Sequence, residues 1–284
     1  MSRDIVKDIE KQISNSILRT LFVSLFAIAM KVLQLVMFHN SKTGLLNLSF
    51  LSNLFGMMVV VCMLYVTVEY VLLTIKVKKI AGYVNLVTQP LIGLSLVMVG
   101  VCFLFQGIMG ILTSLTTGTS TALSSIISIL TIISAVAYGI QGLEIISEKR
   151  KRHFLLNMVP VVWSIAVLMN VMLTYPTTVS VQSNISKVIC CGLLVMFLYY
   201  TARWACGYEQ SFMSAVGVFF RISFSALTLM FVLPYCLVYL FGIKDSVQNM
   251  PYLALLGLSI YGFIVLLQYM ALSLHKIEMR NKLK

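Results

Sequence analysis

Long runs of apolar residues, separated by short polar stretches, make up the chain from residue 18 to its end. A helix needs about 20 apolar residues to cross the hydrocarbon core of a bilayer. Such runs are expected to be helical, because the unpaired backbone groups of an open strand are too costly in lipid. Eight segments meet the requirement, near residues 18–39, 53–75, 90–112, 123–146, 155–174, 187–207, 220–241 and 252–274. The pattern predicts an all-α, polytopic transmembrane bundle of about eight spans, with residues 18–284 forming one unit.

The first 17 residues have a different pattern. Ile5, Ile9, Ile13 and Ile17 recur every four residues, and charged side chains occupy many of the positions between them. One apolar stripe on a charged helix is typical of a segment that lies in the membrane interface. We therefore expect an amphipathic interfacial helix at residues 1–17. A helix that binds a partner protein is the alternative.

Basic residues predict the orientation of the chain. The formal net charge is +12, and the densest basic run, Lys149, Arg150, Lys151 and Arg152, lies between the fourth and fifth predicted spans. Short loops rich in Lys and Arg stay on the cytoplasmic side. Because the loops after spans two, four and six hold most of these residues, we expect both termini to be cytoplasmic and the basic run to anchor the topology. Arg221, at the predicted start of span seven, is expected to be an interface anchor.

The composition excludes an ordinary soluble domain. Apolar residues make up 60% of the chain and charged residues 11%, whereas soluble domains carry about 25% charged residues. The basic residues lie in short clusters at the ends of apolar runs, so they do not predict nucleic-acid binding. The partners we expect are the lipid bilayer and its anionic head groups. A homo-oligomer and a complex with another membrane protein both remain open.

Small residues recur every seven positions in two consecutive spans. They are Gly93, Gly100 and Gly107 in span three, and Ser128, Ala135 and Gly142 in span four. Small side chains at this spacing let helix backbones approach closely within a membrane. We expect them to form a helix-packing seam in a tight hairpin. A sliding or ligand-lined seam is the alternative.

Four polar side chains at membrane depth are candidates for an intramembrane site. They are Lys31, Glu69, Gln106 and Gln141. Ionisable groups within spans are costly and often functional, so Glu69, the one acid well inside a span, is expected to matter most. A structural role is the alternative: Lys31 would extend outward, and Glu69 would pair with Arg19 or Lys76 near the cytoplasmic interface.

Catalytic and metal-binding patterns do not occur in the sequence. The three histidines, His39, His153 and His275, lie at span ends, and no H-E-x-x-H, G-x-S-x-G or Walker pattern occurs. None of the six cysteines forms a C-x-x-C pair. We therefore expect a protein that is not an enzyme and that uses neither a metal nor a cofactor.

One segment carries a resemblance. Pro160 and Trp163 lie early in one span, and the sequence Tyr199-Tyr200-Thr-Ala-Arg203 closes the next. Over residues 154–203, less than a fifth of the chain, the sequence resembles uncharacterised multi-pass membrane proteins of Gram-positive gut bacteria. The resemblance implies a location in a bacterial cytoplasmic membrane and implies no activity.

Two classes of function fit these patterns. The number of spans, the charges at membrane depth and the glycine seam favour a permease-like or channel-like module for a small solute. The alternative is a non-catalytic membrane subunit, such as a sensor, an immunity factor or an assembly scaffold, acting through helix–helix or lipid contacts. A water-accessible polar interior near the bilayer midplane would favour transport, and a dry bundle with apolar grooves would favour the subunit.

Overall fold

A computed structural model describes residues 3–40, 45–46, 49–81, 90–117, 122–147, 153–173, 181–206, 215–240 and 251–282. Over these ranges the chain forms eight α-helices and one short antiparallel strand pair. The helices are α1 (Arg3–Phe38), α2 (Phe50–Ala81), α3 (Pro90–Thr117), α4 (Ala122–Ile146), α5 (Phe154–Leu173), α6 (Val181–Ala205), α7 (Ala215–Leu240) and α8 (Tyr252–Lys282). The strands are β1 (His39–Asn40) and β2 (Leu45–Leu46), and His39 pairs with Leu46.

The prediction of a helical membrane bundle is confirmed. Six of the helices in the described ranges, α1 to α5 and α8, contain stretches long and apolar enough to cross a membrane. In α7 the described apolar stretch is shorter, Phe220–Pro234. Eight crossings and cytoplasmic termini therefore stay predictions.

Helix α1 continues without interruption from the predicted interfacial segment into the first span. Its 36 residues extend over about 54 Å, whereas a hydrocarbon core is about 30 Å thick. Residues 3–17 contain neither Gly nor Pro, so nothing in the sequence breaks the helix there. They extend α1 rather than form a separate element, and α2 and α8 likewise continue past the ends predicted for their spans.

The helices pack in a chain of neighbours. α3 and α4 form the most extensive pair, α5 packs on both α4 and α6, and α1 packs on α2. α8 contacts α2, α3 and α7. Helix α7 packs against α1, α2, α6 and α8, and nearly all of its side chains between residues 221 and 234 are buried.

Aromatic side chains fill the middle of the bundle. Phe103 lies between Tyr138 and Trp163, with ring centroids 5.2 and 4.6 Å away. Phe197 of α6 stacks on Phe224 of α7 at 4.7 Å. The outer helix faces are also apolar, as expected where lipid rather than water surrounds the protein.

Candidate functional site

Lys31 lies inside the bundle, with 7% of its surface exposed. Its Nζ donates a hydrogen bond to Gln34 Oε1 at 2.8 Å, and Gln34 Nε2 donates to the carbonyl oxygen of Ser52 at 2.7 Å. The ammonium group also lies 5.7 Å from the centroid of the Phe231 ring on α7. Gln34 and Ser52 lie toward the predicted outer ends of α1 and α2, which is the direction considered for Lys31 in the structural alternative, and the side chain stays buried there.

Glu69 is held by α1 at the end of the bundle that is predicted to be cytoplasmic. Ser16 Oγ donates to Glu69 Oε1 at 2.7 Å, and Arg19 Nη2 lies 3.2 Å from the same oxygen. Arg19 is 61% exposed and Glu69 23%. The pairing with Arg19 is the structural alternative considered above. Glu69 and Lys31 do not pair directly. Lys31 bonds to Gln34, and Gln34 lies more than three helical turns further along α1 than Ser16 and Arg19, the two partners of Glu69.

The two glutamines lie at other helix pairs. Gln106 Oε1 accepts a hydrogen bond from the backbone N–H of Leu253, joining α3 to α8. Gln141 Nε2 donates to Asn157 Oδ1 at 2.7 Å, joining α4 to α5. The prediction of one shared site is therefore wrong: Lys31 and Glu69 bond at separate levels of the α1–α2 pair, and each glutamine bonds at a different interface. The physical reason is that Glu69, Gln106 and Gln141 each find a partner on an adjacent helix, which is the common way to satisfy such groups in membranes, and that Lys31 bonds to Gln34 of its own helix.

The structure brings the small residues of α3 and α4 together. A Cβ added to Gly93 would lie 2.8 Å from the carbonyl oxygen of Gly142, and one added to Gly100 would lie 3.0 Å from that of Ala135. One added to Gly107 would lie 3.3 Å from the carbonyl oxygen of Ser128. The two backbones therefore pack in direct contact, which leaves no room for a ligand between them at these positions.

The basic run Lys149–Arg152 lies outside the described residues. At its borders, His153 Nε2 and Glu144 Oε1 are 3.0 Å apart, which links the end of α4 to the start of α5. The anchoring role of the run stays a prediction.

Arg221 lies in a different environment from the one predicted. It is 1% exposed, and its Nη2 donates to the backbone oxygen of Tyr200 on α6 at 3.3 Å. Arg221 is therefore buried within the bundle, and the prediction of an interface anchor is wrong. The reason is that helices pack against α7 on several sides. A residue that would face lipid or water on an outer helix is therefore buried on α7.

Two hydroxyl residues share a face of α7 with Arg221. Ser225 and Thr228 follow it by four and seven residues, the spacing that places side chains on one side of a helix. Both are fully buried, and neither hydroxyl has a hydrogen-bond partner within the described residues. We call Arg221, Ser225 and Thr228 the α7 polar stripe. Its helical spacing was visible in the sequence, but no sequence pattern showed that α7 is central.

Lys187, at the predicted start of span six, is a second buried basic residue. The structure places it in α6, two turns from the helix start, with 8% of its surface exposed.

Within the described part of the chain, no group of three or more His, Cys, Asp or Glu side chains is arranged to hold a metal ion.

Comparison with protein-family models, curated proteins and solved structures gives no significant match. The function is therefore inferred from the residues of this chain.

Replacing Glu69 with Gln is expected to change the free energy of unfolding by no more than about 1 kcal/mol, since its ion pair with Arg19 is exposed. Ser16 can still donate to the amide oxygen of the new side chain. Thermal unfolding in detergent measures the change, with wild-type protein alongside. Loss of solute transport by a Glu69→Gln protein that folds and expresses normally would instead give Glu69 a functional role.

Proposed function

We propose that this integral membrane protein is a permease-like or channel-like module for a small solute in a bacterial cytoplasmic membrane, and that it works without a catalytic step. One observation carries the proposal. Helix α7, which packs against α1, α2, α6 and α8, has fully buried polar side chains along one face, in a bundle in which α1 to α5 and α8 contain apolar stretches long enough to cross a membrane.

The energetic cost of the α7 polar stripe supports this function. A hydroxyl buried without a hydrogen bond costs about 1–3 kcal/mol in proteins. Ser225 and Thr228 each carry such a hydroxyl at the middle of α7. The structure bears this energetic cost at both hydroxyls. A polar solute that hydrogen-bonds to the two hydroxyls as it crosses the bundle is a physical reason for their presence.

The proline in α7 adds a second feature in favour of transport. Pro234 lies inside the helix, six residues after Thr228. Proline removes one backbone hydrogen bond and favours a kink. Interrupted helices near the binding site are frequent in membrane transporters, because the released backbone groups line the solute path.

A non-catalytic membrane subunit is the second candidate. Glu69, Gln106 and Gln141 each bond to a neighbouring helix instead of converging on one site. This arrangement favours a structural role for them, and a scaffold or sensor needs no polar path through the bundle.

Solute flux into proteoliposomes tests the proposal. The purified full-length protein is expected to raise the flux of at least one member of a panel of chloride, phosphate, potassium and glycerol above that of empty liposomes. Thr228→Val removes the hydroxyl and keeps the shape, so it is expected to lower this flux.

A matched control is Thr74→Val. Thr74 is also buried, but it lies on α2 and its hydroxyl already donates to the carbonyl oxygen of Tyr70. Its replacement is expected to leave the flux per folded protein unchanged. Absence of flux for the whole panel would overturn the proposed function and favour the subunit.

A further inference from the structure

We infer that Arg203, together with Tyr199 and Tyr200, binds the head-group phosphate of an anionic phospholipid at the predicted cytoplasmic face of the bundle. We call the rings of Tyr199 and Tyr200 the tyrosine platform. The inference goes beyond the proposed function, because a lipid site of this kind serves a transporter and a non-catalytic subunit equally.

Three residues near the end of α6 form the site. Arg203 lies in the last turn of the helix, four residues after Tyr199 and three after Tyr200. These spacings place side chains next to one another on a helix. The Cζ atom of Arg203 is 5.7 Å from the ring centroid of Tyr199 and 6.0 Å from that of Tyr200. Cation–π contact with two rings orients the planar guanidinium group.

Contacts with α7 fix the inner ring of the tyrosine platform. The Tyr200 ring stacks on Phe220, with centroids 5.6 Å apart and an angle of 17° between the planes. The backbone oxygen of Tyr200 accepts the hydrogen bond from Arg221. Tyr199, in contrast, is 38% exposed. The platform therefore extends from the packed interior to the outer surface of the bundle, and the guanidinium group of Arg203 lies over it.

The N–H groups of Arg203 are available to a ligand. A guanidinium group has five N–H donors, and an arginine in the last turn of a helix can use them to bond to the final carbonyl groups. Among the residues that the structure describes, Arg203 makes no such bond and has no carboxylate partner. Arg19, at the same predicted face, has Glu69 as its partner. A phosphate group matches the donors of Arg203, because it can accept two parallel hydrogen bonds from one guanidinium.

The depth of the site matches that of lipid head groups. Tyr200 is level with Phe220, the first residue of the seventh predicted span, and Arg203 lies about one turn closer to the end of α6. Tyrosine is enriched where a membrane meets water. The head group of phosphatidylglycerol has a net negative charge, whereas that of phosphatidylcholine has a cation beside its phosphate. The guanidinium charge therefore favours the anionic lipid.

Lipid binding by the wild-type protein is the first test. The purified full-length protein in detergent is mixed with phosphatidylglycerol or with phosphatidylcholine of the same acyl chains, and native mass spectrometry measures the Kd of the first bound lipid. We expect the anionic lipid to bind about tenfold more tightly, the difference that one charge-assisted contact gives. Equal affinities for the two lipids would overturn the inference.

Competition with inorganic phosphate separates a lipid from a free anion. The acyl chains of a lipid add apolar contacts that inorganic phosphate lacks. A large molar excess of inorganic phosphate is therefore expected to leave phosphatidylglycerol bound. Displacement of the lipid by inorganic phosphate would overturn the assignment of a lipid as the ligand.

Variants of Arg203 test the residue itself. Arg203→Gln removes the charge and is expected to weaken phosphatidylglycerol binding about tenfold. Arg203→Lys keeps the charge but lacks the planar group that stacks on rings and bonds in pairs, so its binding is expected to be about threefold weaker than that of the wild type. Arg19→Gln is the matched control: it removes an arginine charge at the same predicted face, and we expect it to leave the affinity unchanged. Wild-type affinity in a folded Arg203→Gln protein, or an equal loss in the Arg19→Gln protein, would overturn the inference.

Variants of Tyr199 test the tyrosine platform. Tyr199→Phe keeps the aromatic ring and is expected to bind phosphatidylglycerol as the wild type does. Tyr199→Leu removes the ring and is expected to bind about threefold more weakly. Circular dichroism and elution as a single species check the folding of each variant, and the comparison of two lipids on the wild-type protein needs no variant. Equal affinities of the Tyr199→Phe and Tyr199→Leu proteins would overturn the role of the platform.

Discussion

Replacing Gly142 with Ala is expected to destabilise the protein by about 1–3 kcal/mol, the range for overpacking a well-packed core. The added Cβ would lie 2.7 Å from the carbonyl oxygen of Gly93 and 2.9 Å from the backbone nitrogen of Val97. Both are backbone atoms of α3, so no side-chain rotation can relieve the contact. The helices α3 and α4 would have to separate, and their close approach is the main source of attraction between helices in a membrane.

Gly139→Ala is the matched control for this variant. Gly139 lies one turn earlier on the same helix, and a Cβ at this position meets no atom within 4 Å. Alanine is expected to be neutral there or to stabilise by up to about 1 kcal/mol, because it is a better helix former than glycine. The stabilities of the Gly142→Ala and Gly139→Ala proteins are compared by thermal unfolding in detergent. A dye that reacts with the buried thiols of Cys190 and Cys191 follows the unfolding. Equal destabilisation by both variants would contradict direct backbone contact at Gly142.

Replacing Trp163 with Ala is expected to cost about 3–5 kcal/mol of stability, the upper range for loss of a large core side chain. Trp163 is fully buried at the middle of α5. Its ring lies 4.6 Å from that of Phe103, and its Nε1–H donates to Thr131 Oγ1 at 2.8 Å. The residue therefore joins α5 to both α3 and α4, and its loss leaves a cavity between three helices.

Two smaller changes separate packing from hydrogen bonding at Trp163. Trp163→Phe keeps an aromatic ring, and the hydroxyl of Thr131 still donates to the carbonyl oxygen of Ile127, so a smaller loss is expected. Thr131→Val leaves the buried Nε1–H without its acceptor, at a cost of about 1–3 kcal/mol. The same unfolding assay measures all three variants. A Trp163→Ala protein as stable as Trp163→Phe would show that the ring contributes little to packing.

The helical class of this protein was predictable from its sequence, because lipid imposes two simple requirements. A span must be about 20 apolar residues long, and it must satisfy its own backbone hydrogen bonds. The start of α3 at Pro90 and the end of α4 at Ile146 follow the predicted span limits for these reasons. The spacing of Gly93, Gly100 and Gly107 likewise indicated which faces of α3 and α4 would pack.

The ends of the longer helices were less predictable. Hydropathy marks the limits of the hydrocarbon core, but a helix ends only where a residue breaks it or its hydrogen bonds find other partners. Residues 3–17 contain no such break, so α1 continues through them.

The neighbours of each helix and the partners of each polar group were decided only by the tertiary structure. In water, a helix shows its buried side as an apolar stripe. In a membrane, lipid-facing and core-facing sides are both apolar, so the sequence does not show which helix is central. For this reason Arg221 was expected at an interface and is instead buried on α7, and Glu69 bonds to Arg19 and Ser16 instead of sharing a site with Lys31. Partner choice depends on which turns of separate helices meet at the same depth, and only packing in three dimensions determines that.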